Sequence, residues 1–354
     1  MRVLVAMSGG VDSSMTAALL LDAGHDVTGV HLKMADTPSG LPGKGCCTLD
    51  DARDAARVAD HLRIPFYTWN LSEAFRERVV DDFVASYADG RTPNPCIRCN
   101  ERVKYRALLA RARAMGFDAL ATGHHVRLRH EGGRWRLRRA ADPGKDQTYV
   151  LSMARQDELA HTLWPAGEHP KADLRAMAAE RGLLTAAKPD SHDVCFIPSG
   201  DLAGFLHSHL GERPGVVVDD DGTVLAEHDG AYRFTIGQRR GLGLAGQPEA
   251  RYVTAIDGST VHVGPRQALA VAEVTAEGAH WIAGRPPDAA TLAGAGLAAQ
   301  VRYRGEPLPA AVDDLGGGEV RVRFPEARPE GVAAGQAVVL YAGEECLGGA
   351  TITG

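Results

Sequence analysis

The sequence predicts an α/β protein with a parallel sheet in its first half and a β-rich second half. Three observations carry that expectation. Strand-like and helix-like segments alternate up to Thr122, a Ser-Gly-Gly turn joins the first strand to the first helix, and short β-rich runs broken by Gly, Asp and Pro replace the helices after about residue 208. Strands alternating with helices imply parallel strands with helices on both faces.

The elements follow in order. Residues 2–7 form an apolar run that reads as a buried strand, and Met15 to Leu21 reads as a helix stopped by Gly24. Residues 27–32 read as a second strand, followed by a Gly- and Pro-rich loop over 36–45. Leu49 to Arg63 has helical periodicity, with Thr48 as its N-cap and Ile64-Pro65 as its stop. Residues 66–69 read as a strand, Ser72 caps a helix to about Tyr87, a helix spans about Glu101 to Met115, and 119–122 is another strand. Residues 127–139 alternate charge and bulk around Gly132-Gly133 and read as a hairpin. Helical segments resume over 152–182, clearest from Lys171 to Arg181. Beyond them, Val216-Val217-Val218 and Thr223-Val224-Leu225 flank a hairpin signal. β-rich runs follow at 252–256, 260–264, 270–275, 296–303, 319–324, 337–342 and 345–353, spaced as in a small antiparallel barrel or sandwich.

With 354 residues, two or three domains are expected. The chain shows no run of membrane-spanning length and no signal-peptide pattern before the first strand, so the expected location is cytoplasmic, without a membrane partner. A net charge of −6 argues against a basic coat for nonspecific nucleic-acid binding but leaves room for a local basic groove. Six cysteines in a chain of this size do not make a disulfide framework, and close spacing points to metal binding or catalysis.

Ser8-Gly9-Gly10-Val11-Asp12-Ser13-Ser14 is the most informative segment. A strand, a glycine turn and a helix aim backbone N–H groups at an anion, the serines add hydroxyl donors, and Asp12 can hold a metal. In an open parallel sheet this loop and Gly123-His124 both follow strands and share one crevice. A Walker loop is absent, because Lys44 and Lys145 follow glycines without the rest of the motif. Residues 241–246 match GxGxxG but lie in the β-rich half and precede Pro248 rather than a helix. The plain alternative for Ser8–Ser14 is a tight βα turn with caps.

The second feature is Thr92-Pro93-Asn94-Pro95-Cys96-Ile97-Arg98-Cys99-Asn100. Asn100 is read as the cap of the following helix, putting Cys99 at its N-terminus, where a thiol pKa falls; Arg98 and Arg102 push the same way. Cys96-x2-Cys99 is half a zinc ribbon without its second pair. Cys96, Cys99 and Cys195 have the makings of an iron–sulfur ligand set with one iron open, a [4Fe–4S] cofactor. Cys46, Cys47 and Cys346 read as ordinary residues.

Together these segments, with Ala121-Thr122-Gly123-His124, Lys145-Asp146-Gln147, Cys195-Phe196-Ile197-Pro198 and residues 235–243, occur in an order that resembles the bacterial tRNA-specific 2-thiouridylases of the PP-loop ATP pyrophosphatase superfamily, over nearly the whole chain. The resemblance implies an adenine nucleotide α-hydrolase-like PP-loop catalytic domain over 1–208, a small β-rich, tRNA-binding central domain over 209–266 and a C-terminal antiparallel β-barrel over 267–354. It implies ATP and Mg2+ as cofactors and tRNAs decoding Lys, Glu and Gln as substrates. Its sulfur donor is a persulfide protein such as a cysteine desulfurase or a relay protein.

Carried over by position, the resemblance gives ATP binding to Ala6, Met7, Ser8, Gly9, Gly10, Val11, Asp12, Ser13, Leu32 and Gly123. Asn94, Pro95 and Cys96 line the target-base pocket. His124, Lys145, Asp146, Gln147, Arg302, Tyr303 and Gln336 touch tRNA. Cys99 is the nucleophile and Cys195 carries the persulfide, with a transient disulfide between them, while Asp12 and Mg2+ steady pyrophosphate. Some members have Asp at position 96, so Cys96 is not the essential thiol; His125, His192 and Leu32 stand where Tyr, Gln or Thr, and Met are usual. The implied reaction adenylates the C2 oxygen of the wobble uridine, U34, and sulfur then displaces AMP.

Arg98, Arg102, Lys104, Arg106 and the arginines of 127–139 read as a tRNA-binding track on an otherwise acidic chain. Two rival readings remain. Another PP-loop ligase needs no paired reactive cysteines, and a non-catalytic RNA-binding or redox-sensing protein needs no intact glycine loop.

Overall fold

The computed structural model describes residues 1–34, 49–190, 194–197, 199–244 and 249–354. The loop over 36–45, Cys46, Cys47, Thr48, His192 and part of the 241–246 motif therefore lie outside the described residues. No helix among those described is long and apolar enough to cross a membrane.

A five-stranded parallel sheet forms the first half. Its strands are β1 (Arg2–Ala6), β2 (Asp26–Lys33), β3 (Phe66–Asn70), β4 (Ala119–Thr122) and a short strand at Thr162–Leu163, in the spatial order β3-β2-β1-β4 and then the short strand. Val3, Leu4 and Val5 are all fully buried, because helices cover both faces of a parallel sheet. Alternation divides them: Leu4 joins one apolar cluster, while Val3 and Val5 join the other. Helix α1 (Val11–Asp22), helix α2 (Leu49–Leu62) and helix Lys171–Glu180 contribute to the second cluster. The chain order reverses at β1, which pairs with β2 on one side and β4 on the other; Ala6 lies opposite both Val30 and Thr122. The carboxyl ends of β1 and β4 thus flank the switch-point crevice, where ligands bind in such sheets.

Two further sheets follow. The strands Gly215–Val218, Val224–His228, Tyr252–Asp257 and Thr260–Gly264 make a small four-stranded sheet. The C-terminal sheet is antiparallel and contains Glu273–Trp281, Leu297–Gln300, Ala311–Gly316, Glu319–Arg323, Ala337–Ala342 and Glu345–Ile352.

Several expectations need correction. Residues 152–182 are not simply helical: Thr162–Leu163 pairs with β4, a strand too short to show periodicity. Ala311–Gly316 went unread because its outer half is Asp- and Gly-rich and exposed. Ser72 begins its helix rather than capping it, and donates both its N–H and its hydroxyl to Asn70 Oδ1.

The arginine hairpin forms as expected, over Val126–Glu131 and Arg134–Arg139, and its place in the fold adds a new feature. It is an annex of the C-terminal sheet, with Leu137 opposite Cys346 and Arg138 opposite Glu345. Its arginines are compensated. Arg127 pairs with Glu344, Arg129 with Glu168, Arg134 and Arg136 with Glu345, and Arg138 with Glu131. Arg139 pairs with Asp146 and lies 4.0 Å over the Tyr341 ring. The alternation that marks a hairpin is silent about which acids of the fold face it.

Candidate functional site

The glycine loop forms as its residues require. Gly9 has φ +78°, and a Cβ there would lie 2.3 Å from the Asp51 carbonyl oxygen at the start of α2. Gly10 is the N-cap of α1, with extended backbone and no side-chain cap. The first-turn N–H groups are therefore not capped by a side chain of their own helix. The serines brace the turn from below: Ser13 and Ser14 hydroxyls donate to the Gly10 carbonyl at 3.0 and 2.9 Å, and Ser8 N–H donates to Ser13 Oγ at 3.1 Å. Gly123 lies across from the loop, and a Cβ there would sit 2.7 Å from Ser13 N. Glycine at 123 thus keeps this N–H approachable, and the two post-strand segments do share one crevice. Met7 and Val11 are buried beneath it, and Leu32 is buried on β2.

Asp12 opens the helix and is the focus of a charged network. Lys171 Nζ reaches both its carboxylate oxygens at 2.6 Å, and His125 Nε2 lies 2.9 Å from Oδ1. Burial pushes the Asp12 carboxyl up, but hydrogen bonds and charge from His125 and Lys171 outweigh it and hold the group below the usual carboxylate range. Lys171 also meets Asp190 at 3.0 Å, and Asp190 meets Lys145 at 2.9 Å and Arg175 at 2.7 Å. Burial opposes ionisation of Asp190 too, yet Lys145 and Lys171 keep it strongly acidic. Sequence reasoning missed Lys171, Arg175 and Asp190, since nothing in a helix-forming Lys171 near residue 170 announces a partner at residue 12.

The cysteine segment begins its helix earlier than expected. A helical run spans 95–114, with Pro95 first and Asn94 as N-cap; Asn94 Oδ1 accepts from Cys96 N at 3.0 Å and from Ile97 N at 3.4 Å. Asn100 is no cap: it is buried and donates from Nδ2 to the Val150 carbonyl at 2.9 Å. Cys96 is exposed in the first turn, whereas Cys99 lies one turn in, 7% exposed, inside the apolar cluster that also holds Leu4 and Leu120. The helix-end argument for a reactive thiol therefore does not apply at Cys99. Arg98 and Arg102 pair with Asp82, and Arg106 with Glu101, so these cations are compensated as well.

Cys195 is half-buried and packs against the same cluster that contains Cys99. Its neighbour Phe196 anchors it, with ring centroids 5.7 Å from Phe75, 5.2 Å from Phe83 and 5.5 Å from Phe205. Among the described residues, no three His, Cys, Asp or Glu side chains converge to hold a metal. Cys96, Cys99 and Cys195 are all described, so the cluster ligand set does not fit this arrangement. Burial pushes the Cys346 thiol up, which keeps it protonated and inert.

The other singled-out residues divide by exposure. His124 is buried, its Nδ1 lying 2.6 Å from Thr122 Oγ1 and 3.1 Å from the Tyr105 hydroxyl, and burial holds it far below the usual imidazole range. Asp146 accepts from Ala140 N and Thr148 Oγ1, and Gln147 Oε1 accepts from His125 N at 2.8 Å. Gln336 donates to the Thr92 carbonyl at 2.7 Å, fastening the C-terminal sheet to the loop before Asn94 and Pro95. A cavity of about 110 Å³ opens at this seam, lined by Pro93, Asn94, Ile97, Arg98 and Glu277 among others. Arg302 forms no ion pair among the described residues, and Tyr303 is exposed, its ring 5.9 Å from that of Tyr149.

Comparison with known proteins adds three family-model matches: a tRNA methyl transferase HUP domain over residues 1–199, a tRNA methyl transferase PRC-barrel domain over 203–265 and an aminomethyltransferase beta-barrel domain over 271–352. The tRNA-specific 2-thiouridylase of Mycolicibacterium smegmatis is 53% identical, covering 100% of this chain and 99% of that one. Those of Acidothermus cellulolyticus (53%, covering 99% and 97%) and Mycobacterium tuberculosis H37Rv (52%, covering 100% and 97%) are similar to it too. A solved 4-thiouridine synthetase–RNA complex with bound ATP has a TM-score of 0.36 and 16% identity, covering 59% of this chain and 50% of that one. With relatives about half identical over almost their whole length, the chain belongs to the tRNA-specific 2-thiouridylase family.

Proposed function

We propose that this protein thiolates the wobble uridine of tRNA, using ATP to make the C2 oxygen a leaving group. The observation that carries the reading is a glycine loop at the sheet's switch point together with two cysteines, Cys99 and Cys195, the first inside and the second against the apolar cluster that holds Leu4. The names of the full-length relatives support it.

The chemistry balances as follows. The C2 oxygen attacks the α-phosphorus of ATP, and pyrophosphate leaves. The backbone N–H groups at the start of α1 would donate to the phosphate chain, and Asp12 would hold Mg2+, which would neutralise phosphate charge. Cys195, loaded as a persulfide by a donor protein, attacks C2 through its outer sulfur, and AMP departs. The Cys99 thiolate then attacks the Cys195 sulfur, leaving 2-thiouridine and a Cys99–Cys195 disulfide that a dithiol reductant reopens. In a second route, Cys99 attacks the persulfide first and the hydrosulfide released attacks C2. Arg302 and Tyr303 are suited to the RNA: an uncompensated cation beside an exposed aromatic ring serves phosphate and base.

The family-model names speak of methyl transfer, which needs no ATP cleavage. The two readings separate in one assay. Unmodified tRNA, ATP, Mg2+ and a persulfide donor should yield 2-thiouridine together with equimolar AMP and pyrophosphate. No tRNA-dependent AMP release would sink the reading.

A further inference from the structure

The Lys171–Asp190 pair is not used by the sequence of steps above, and its position gives it work. The Lys171 ammonium is almost buried, at the N-terminal end of α1, between the Asp12 carboxylate at 2.6 Å and Asp190 at 3.0 Å. Among the described residues, side-chain ion pairs join Lys145, Lys171 and Arg175 to Asp12 and Asp190, and the Asp142 carboxylate accepts from the Lys171 backbone N–H at 3.1 Å. Three cations thus gather beside α1 N–H groups that no side chain of that helix caps, on a chain whose net charge is −6. Such a place suits a polyanion larger than a single carboxylate.

We propose that Lys171 is a catalytic residue that binds the β- and γ-phosphates of ATP and stays with the pyrophosphate as it leaves, and that Asp190 is the positioning residue that holds it there. When nucleotide enters with its cation, Asp12 turns from the ammonium to the metal, and Lys171 exchanges Asp12 for phosphate oxygens. Asp190 keeps one contact with Lys171 through the exchange and another with Lys145 at the surface. The tether fixes a flexible side chain that would otherwise lose rotamer entropy on each binding event. This inference rests on the nucleotide reading above and extends it to a residue outside the glycine loop.

Equilibrium binding to the full chain without tRNA separates the possibilities, with ATP, AMP and pyrophosphate as probes in Mg2+. Lys171→Met should weaken ATP and pyrophosphate at least tenfold and leave AMP within about twofold, since AMP lacks the β- and γ-phosphates. Asp190→Asn should weaken ATP and pyrophosphate about threefold, again sparing AMP. If wild type binds no ATP, the nucleotide reading itself fails. If wild type binds ATP and Lys171→Met binds all three probes as wild type does, only the role of Lys171 is overturned. Equal loss of AMP and ATP would also overturn it, showing that Lys171 merely shapes the loop through Asp12. Should Lys171→Met not fold, Asp190→Asn decides alone, and unaltered pyrophosphate affinity refutes the proposal.

Discussion

The glycine loop and the arginine hairpin are both short, densely marked segments, yet they differ in where their partners lie. Ser13 and Ser14 bond to Gly10 within one turn, so the backbone of the loop is braced locally even though the Asp12 carboxylate is held by His125 and Lys171. Three of the hairpin's arginines, Arg127, Arg134 and Arg136, find Glu344 and Glu345 some 200 residues further on. The loop leaves its first-turn N–H groups without a side-chain cap, whereas the hairpin's charges meet acids within the fold. A dense cluster of cations therefore says little until its acids have been found.

The contrast is testable, and the cysteines give the largest effects. Cys99→Ser and Cys195→Ser should each bind ATP normally yet lose at least about 10³-fold of thiolation. Normal 2-thiouridine from either variant, measured in digested tRNA, would remove that cysteine from the reaction. On the loop side, Gly123→Ala places a methyl group 2.7 Å from Ser13 N. ATP should bind roughly tenfold to hundredfold more weakly, about 1–3 kcal/mol, by calorimetry; unchanged affinity would show that this N–H is not a ligand.

On the hairpin side, Glu345→Gln strips Arg134 and Arg136 of a half-buried partner. Denaturant unfolding should show a loss of about 1–3 kcal/mol, with the salt dependence of tRNA binding unchanged. A changed salt slope would restore the hairpin to the tRNA track. Glu344 is mostly exposed, so Glu344→Gln should cost below about 0.5 kcal/mol in the same measurement.

Mild acid gives the subtlest effect. His124 is held neutral in the fold because its imidazole pKa lies well below 6.5, whereas the unfolded chain gains that proton as pH falls through 6.5. Stability is thus full above about pH 6.5 and declines below it. Asp12 and Asp190, held low instead, keep their contribution until the pH drops below the ordinary carboxylate range. The melting temperature should fall from pH 7.5 to 5.5, and less so in His124→Asn; an equal fall in that variant would place the titrating group elsewhere.

Legibility in the sequence followed the range of the interactions. β1, β4, the 126–139 hairpin and the helix from Leu49 declare themselves by local periodicity, and the structure has them within a residue or so. Asn94 and Asn100 show the limit at short range. Both are good capping types, and the choice between them turned on Val150, whose carbonyl claims Asn100. Lys171 shows the limit at long range, because an ion pair across 159 residues leaves no periodic trace. The motifs brought out the loop and the cysteines, and the structure brought out the charges around Asp12.

The pairing of the hairpin with Glu345–Ile352 also bears on how the chain is made. At about 5–20 residues per second, the hairpin leaves the ribosome roughly 10–40 s before its strand partner exists. Throughout that delay it is an open sheet edge, the kind of surface on which nascent chains aggregate. Its alternating arginines discourage such pairing, and Glu344 and Glu345 later take up Arg127, Arg134 and Arg136. Charge on an edge strand thus serves as a guard during synthesis as well as a latch after it.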